Sequence, residues 1–150
     1  MAATGLEVFD KTLQTTNMWL DEIMETCGAD RHVAWHVLGA VLRPLRDRLP
    51  VGLAAHLGAQ FPILVRGLYY DQWHPAGEPD RFRTLDEFLE RVAEGMNGVR
   101  PLNIPDAAQA VLRTLSRHVG AGQVVNVLNA LPEQIRMFWL ESSGADEGEL

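Results

Sequence analysis

The spacing of apolar residues is the feature that most restricts the fold of this 150-residue chain. Apolar side chains recur three and four positions apart almost throughout, and no stretch of useful length alternates between apolar and polar residues as a half-buried strand does. Thr84 opens a Thr-x-x-Glu capping box, Asp30 is a second N-cap, and Gly28 marks a helix end. The pattern predicts an all-α protein of about eight helices.

The first predicted helix covers about residues 6–26 and carries an apolar stripe that includes Leu6, Phe9, Leu13 and Cys27. Cys27 is the only cysteine, so an intrachain disulfide and a zinc site of several cysteines are excluded. Its place in the stripe predicts that it packs as a small apolar residue.

A shift of 70 residues aligns the chain with itself. The segment AVLR at 40–43 recurs at 110–113, and a Pro-x-x-x-Arg pattern at 62–66 recurs at 132–136. The predicted starts and ends of the helices also coincide when the two segments are aligned. The self-similarity predicts two copies of one helical unit, of which neither buries its core alone.

These patterns predict the domain organisation. Residues 1–140 are predicted to form a single helical domain, in which two similar four-helix repeats, over about 6–73 and 85–140, pack into one bundle. Residues 141–150 are small and acidic and are predicted to be a flexible tail.

A resemblance to a known family rests on two stretches of the chain. LRDRLPVGLAAHLGAQFPILVRGLYYDQWHPAG resembles the signature of the bacterial family called domain of unknown function 2267. FLERVAEGM, followed by AVLRTLSRHVGAGQVVNVLNALPEQIRMFW, resembles the other repeat of that family. The resemblance covers about residues 4–140. It implies an all-helical, duplicated, cytoplasmic protein from bacteria, and it implies no reaction, substrate or cofactor.

Charge and hydropathy restrict the partners. Thirteen basic and 20 acidic residues give a net charge of −7, which disfavours nucleic acid and anionic membranes. The short helices GLAAHLGAQ and GQVVNVLNA are too apolar to read DNA bases. The N-terminus has no signal-peptide pattern, and the longest uncharged run, 49–65, is short and contains prolines. We therefore expect a cytoplasmic protein that binds neither nucleic acid nor membrane.

Arg66, Tyr69, Tyr70 and Trp73 follow i, i+3, i+4, i+7 spacing and share one helix face. Aromatic rings with a guanidinium are able to line a pocket for a small anionic ligand. The alternative is an amphipathic core helix whose polar tips reach the rim of the core.

Two pairs of arginines occupy equivalent positions of the repeats, namely Arg43 with Arg113 and Arg66 with Arg136. Each arginine either pairs with an acidic residue or helix end of its own repeat, or contributes to a quasi-symmetric anion site at the repeat interface. Both interpretations fit the sequence.

His32 and His36 lie four residues apart and share a helix face, a spacing that suits a divalent metal if further ligands are present. The glutamate that metalloproteases place beside the first histidine is missing. We therefore predict no metal and no cofactor, and keep the two histidines only as weak metal candidates.

The sequence favours a non-enzymatic protein-interaction or regulatory module, as a monomer or homodimer. The alternative is a small-molecule or anion binder that uses the arginine and aromatic stripe at the repeat interface. An enzyme is disfavoured because no nucleophile elbow, Walker loop or dinucleotide fingerprint occurs. An enclosed pocket bounded by Arg66 and Tyr70 would favour a small ligand, and an exposed apolar surface would favour a protein partner.

Overall fold

The computed structural model describes residues 4–99 and 102–147, with side chains as far as Ser143. Within those ranges the chain forms eight α-helices and no strand, which confirms the predicted all-α bundle. No helix in these ranges has both the length and the apolar character that a membrane crossing requires. The helices are α1 (Glu7–Cys27), α2 (Arg31–Arg48), α3 (Val51–Gly58), α4 (Ile63–Tyr70), α5 (Leu85–Glu94), α6 (Ile104–His118), α7 (Ala121–Ala130) and α8 (Glu133–Glu147).

Capping interactions explain where several helices begin and end. The Asp30 carboxylate accepts a hydrogen bond from the backbone nitrogen of Val33 at 2.8 Å, at the start of α2. Thr84 and Glu87 form the predicted capping box at the start of α5. Gly28 ends α1 with a φ of 68°, a conformation that glycine adopts without strain. These three sequence signals are confirmed.

The helices of the two halves pack against each other. α1 packs against α6 and, in the equivalent position, α5 packs against α2. α2 also contacts α6, and α3 contacts α7. The largest buried side chains come from both halves, and they include Trp19, Phe61, Tyr69, Phe88 and Trp139. The two halves therefore share one hydrophobic core.

Equivalent hydrogen bonds occur 70 residues apart in the two halves. Arg66 Nη2 donates to the carbonyl oxygen of Phe61 at 3.0 Å, and Arg136 Nη2 donates to that of Leu131 at 3.0 Å. In both halves the arginine thereby closes the turn that precedes the last helix. A duplication would produce this correspondence, and the duplication itself stays a prediction.

α8 extends farther than the sequence predicts. A flexible tail is expected from residue 141, but α8 continues to Glu147. Ser142 explains the difference, since it is buried and its hydroxyl donates to the carbonyl oxygen of Phe138 at 2.8 Å. Arg113 Nε also donates to the carbonyl oxygen of Ser142 at 2.9 Å. α8 thus passes residue 141 and is helical as far as Glu147. Residues 148–150 lie outside the described ranges, and the division into a domain and a tail stays a prediction.

α1 forms over the predicted residues, but its apolar stripe is only partly covered. Trp19 and Ile23 are fully buried, whereas Leu6, Phe9 and Leu13 are between 42% and 52% exposed. A regular stripe predicts the face of a helix, but it does not predict how far the neighbouring helices extend along that face. The N-terminal half of α1 consequently leaves apolar side chains at the surface.

Candidate binding groove between α1 and α4

The predicted aromatic stripe lies mainly in the core. Tyr69 is fully buried, its hydroxyl donates to the carbonyl oxygen of Ala54 at 2.7 Å, and burial raises its pKa. The Tyr70 hydroxyl donates to the carbonyl oxygen of Ala55 at 3.1 Å, and its ring stacks on Trp73 with centroids 5.2 Å apart. Both hydroxyl groups are satisfied within the protein, which favours a structural role for this part of the stripe.

All four predicted arginines bind carbonyl groups of their own half, and Arg66 does so through the carbonyl oxygens of Ala59 and Phe61. Arg43 Nε donates to the carbonyl oxygen of Leu68 at 3.3 Å, and Arg43 also pairs with Asp71 at 3.2 Å. Arg113 and Arg136 donate to backbone carbonyl oxygens of the second half. These contacts favour the interpretation in which the arginines hold turns and helix ends rather than share an anion site at the repeat interface.

The fourth arginine, Arg66, lines a groove between α1 and the start of α4, with a cavity volume of about 360 Å³. The ionisable side chains that line it are Lys11, Arg66 and His118, and none of its lining residues is acidic. Val8 and Ile63, each 52% exposed, form apolar edges. We call this cavity the α1–α4 groove. Its lining residues are Val8, Lys11, Thr12, Thr15, Trp19, Ala59, Gln60, Phe61, Pro62, Ile63, Arg66 and His118.

A hydrogen bond from α4 to α1 holds the two walls of the groove together. Pro62 is the N-cap of α4 and offers no side-chain acceptor to the helix. Thr12 of α1 supplies one, because its Oγ1 accepts from the backbone nitrogen of Leu64 at 3.3 Å. Trp19 packs edge-on against Phe61 beneath these walls, with ring centroids 5.5 Å apart.

The two permanent cations of the groove have no carboxylate partner in the part of the chain that the structure describes. Lys11 forms no ion pair there. Arg66 Nη2 donates only to two backbone carbonyl oxygens. Arg66 Nε and Trp19 Nε1 are buried without a hydrogen bond to any described residue. Buried donors without acceptors are costly, so the packing around Arg66 and Trp19 leaves two hydrogen bonds unmade.

Glu22, the carboxylate that contacts the groove residue His118, already has partners. His118 Nε2 lies 2.6 Å from Glu22 Oε2, and the His118 ring stacks on Trp19 with centroids 5.4 Å apart. Arg117 Nη1 lies 3.5 Å from the other oxygen of Glu22. Glu22 therefore balances residues at the end of α6 rather than Lys11 or Arg66.

The equivalent surface of the second half lies beside α8 and has the opposite charge. A cavity of about 510 Å³ there is lined by Leu85 and five residues of α8, and its only ionisable side chains are Glu133 and Glu141. Met137 and Leu140 are 49% and 44% exposed. We call the exposed set Glu133, Met137, Leu140 and Glu141 the α8 face.

A comparison with known protein families identifies the family of the chain. The family described as "Uncharacterized conserved protein (DUF2267)" matches residues 16–138. The chain belongs to this family. The resemblance seen in the sequence is thereby confirmed, and no curated protein matches the chain. The match includes the α4 wall of the groove, whereas Val8, Lys11, Thr12 and Thr15 precede it.

The histidine pair of this DUF2267 chain lies on α2. The rings of His32 and His36 have centroids 4.7 Å apart, so the predicted shared face is present. Among the described residues, no group of three or more histidine, cysteine, aspartate or glutamate side chains is able to hold a metal ion. Two imidazoles alone fall short of the three or four protein ligands that zinc sites use.

Sequence reasoning missed Arg46, the most buried charged residue described in this DUF2267 chain. Its Nη1 donates to the carbonyl oxygens of Tyr69 at 2.7 Å and Asp71 at 3.0 Å. Nearby, two hydrogen bonds from Arg91 hold the pKa of Asp80 below its usual range. Arg46, Asp80 and Arg91 line a cleft of about 470 Å³. Its charged side chains pair with each other, as Arg91 does with Asp80. These ion pairs stabilise the connection between the halves.

Proposed function

We propose that the protein is a non-enzymatic protein-interaction module of the bacterial cytoplasm, and that the α1–α4 groove holds an acidic, apolar segment of a partner. The groove has apolar edges and contains Lys11 and Arg66, and none of its lining residues is acidic. This combination carries the proposal. In a chain of net charge −7, a cationic apolar groove complements a ligand that combines carboxylates with apolar side chains.

The shape of the groove supports a protein segment as its occupant. Its edges at Val8 and Ile63 are half exposed, and Leu64 beside them is 40% exposed. Tyr70, expected to bound an enclosed ligand pocket with Arg66, does not line this groove. An open apolar groove between two helices is a common docking site for the apolar face of an amphipathic helix.

Two synthetic amphipathic peptides test this proposal. They share one leucine spacing and differ only in their flanking charges, which are glutamates in one peptide and lysines in the other. Fluorescence anisotropy is expected to show binding of the acidic peptide alone, because only its charges complement Lys11 and Arg66. Binding should weaken as salt is raised, since exposed charges are screened.

Lys11→Glu is the informative variant, and Arg81→Glu is its control. Both reverse one exposed positive charge, but Arg81 lies in the loop before α5, where it pairs with Glu78. Lys11→Glu is expected to weaken acidic-peptide binding about tenfold, while Arg81→Glu leaves it unchanged. The proposal would be contradicted if the two peptides bound equally well. It would also be contradicted if Lys11→Glu left the affinity for the acidic peptide unchanged.

A small carboxylate is the second candidate ligand, favoured by the two permanent cations of the groove, Lys11 and Arg66. Decanoate and decanol serve as probes in isothermal titration calorimetry, because they differ in their anionic group. Binding of decanoate alone, lost in Arg66→Lys and kept in the equivalent Arg136→Lys, would support this function. Failure of decanoate to bind the wild-type protein would exclude it for this ligand class.

A further inference from the structure

We propose that the segment held in the α1–α4 groove is the α8 face of a second copy of this chain. This inference rests on the proposed function and names its partner. The α8 face meets both requirements of the groove, since it joins two carboxylates to two exposed apolar side chains on one helix.

Charge complementarity is the main argument for this partner. Lys11 and Arg66 have no carboxylate partner among the described residues, and the α1–α4 groove contains no acidic lining residue. Glu133 and Glu141 likewise form no ion pair in the described part of the chain. Contact between the two surfaces therefore pairs charges that have no opposite charge beside them among the described residues, and these pairs determine both the partner and the register of the contact.

The apolar side chains of the two surfaces are also complementary. Met137 and Leu140 of the α8 face are about half exposed, as are Val8 and Ile63 at the edges of the groove. Glu133, Met137 and Leu140 follow the i, i+4, i+7 spacing with which a helix enters an apolar groove. Methionine adapts readily to an irregular surface, which suits a shallow groove.

The contact joins unlike surfaces of two identical chains, so it is heterologous. In a complex that uses one such contact, each copy keeps either a free groove or a free α8 face. Further copies are then able to add, unless the geometry closes a ring. The proposal thus predicts self-association that increases with protein concentration and decreases with salt.

Charge reversal on each surface tests the pairing in the full-length chain. Lys11→Glu alters only the groove, Glu141→Lys alters only the α8 face, and both positions are exposed, so folding should be retained. Sedimentation velocity is expected to show self-association of the wild-type protein that weakens about tenfold in each variant. A mixture of the two variants should associate again, because each supplies the charge that the other needs. Arg81→Glu is the control and should associate as the wild-type protein does.

Several results would overturn this inference: a wild-type protein that stays monomeric over about a hundredfold range of concentration, association that ignores either reversal, or a variant mixture that does not recover. Loss of association in Arg81→Glu would also count against it. If the protein stays monomeric but still binds the acidic peptide through Lys11, the proposed function stands and only the partner is wrong. If that peptide also fails to bind, both proposals fail.

Discussion

α4 and α8 begin at equivalent positions of the two halves, each after a proline, yet they present different surfaces. α4 starts with Ile63 and Leu64 beside Lys11, whereas α8 starts with Glu133 and Gln134. Both helices are positioned by an arginine that donates to the turn before them. The comparison shows that the packing of the helices restrains their buried faces and leaves their exposed faces free to acquire opposite charges.

The buried contacts of the two halves also differ. In the first half, the Arg46 guanidinium donates to the carbonyl oxygen of Tyr69 at 2.7 Å. At the equivalent positions of the second half, Trp139 Nε1 donates to the Ser116 hydroxyl at 2.8 Å. The first half therefore depends on a buried charge where the second depends on a neutral hydrogen bond.

Separating the halves is expected to have the largest effect. A fragment of residues 1–76 loses the packing of α1 on α6 and of α2 on α5, which exposes much of the shared core. We expect the fragment to unfold without a cooperative thermal transition, whereas the full chain unfolds cooperatively. Circular dichroism and calorimetry make the comparison, and a cooperative transition of the fragment would refute the claim that the halves depend on each other.

Removing the buried contact in each half is expected to have unequal effects. Arg46→Met leaves the carbonyl oxygens of Tyr69 and Asp71 without their charged donor and should lower the free energy of unfolding by about 3 kcal/mol. Ser116→Ala removes one neutral acceptor and should cost about 1 kcal/mol. Urea denaturation measures both free energies of unfolding. Equal losses in the two variants would mean that the buried arginine contributes no more to stability than the neutral hydrogen bond at the equivalent position.

The close packing of α3 against two tyrosines of α4 is a further difference between the halves, and it depends on a glycine. A Cβ added at Gly58 would lie 2.8 Å from Tyr69 Cε2 and also meet the Tyr70 hydroxyl, whereas the equivalent position in α7 is Leu128. Gly58→Ala is expected to cost about 1–3 kcal/mol of stability by overpacking. The control is Gly67→Ala in α4, where nothing lies within 4 Å of the added Cβ and a small gain is expected. Equal stability changes would show that the close approach of Tyr69 and Tyr70 does not require glycine.

The smallest effect concerns the connection between the halves. Hydrogen bonds from Arg91 lower the pKa of Asp80 in the folded chain, so the pair stabilises the fold above the unfolded pKa of about 4. That contribution is lost as the pH falls through the folded pKa. Denaturant melts between neutral and acidic pH should show a smaller acid-induced loss of stability in Asp80→Asn than in the wild-type protein. Identical pH profiles would mean that this ion pair does not contribute.

The fold could be predicted from helix periodicity and capping, because both depend on residues that lie close together in the chain. The Asp30 cap, the Gly28 stop and the Thr84 capping box depend on residues within one turn, and each is found where the sequence places it. The extent of α8 was missed because the burial of Ser142 depends on its contact with Arg113, which is distant in the chain.

The candidate site was only partly predictable for the same reason. The repeat predicts Arg66 as a site residue, and Arg66 does line the groove. No sequence pattern predicts Lys11, because its position opposite α4 follows from tertiary packing. Arg46 was also missed, since nothing in the local pattern distinguishes a buried arginine in α2 from the neighbouring arginines at 43 and 48.

The central claim is that the cationic surface of the first half is the binding surface and that its acidic counterpart in the second half is not a site for acidic ligands. Heteronuclear NMR of the full chain, titrated with the acidic amphipathic peptide, compares the two surfaces in one experiment. The spectra are recorded at a protein concentration at which the chain is monomeric, so that the peptide displaces no α8 face from a groove. We predict shifts of the backbone amide signals of α1 from Val8 to Trp19 and of α4 from Ile63 to Arg66, with the signals of α8 from Glu133 to Glu141 unmoved. Shifts centred on α8, or spread evenly over both halves, would contradict the account.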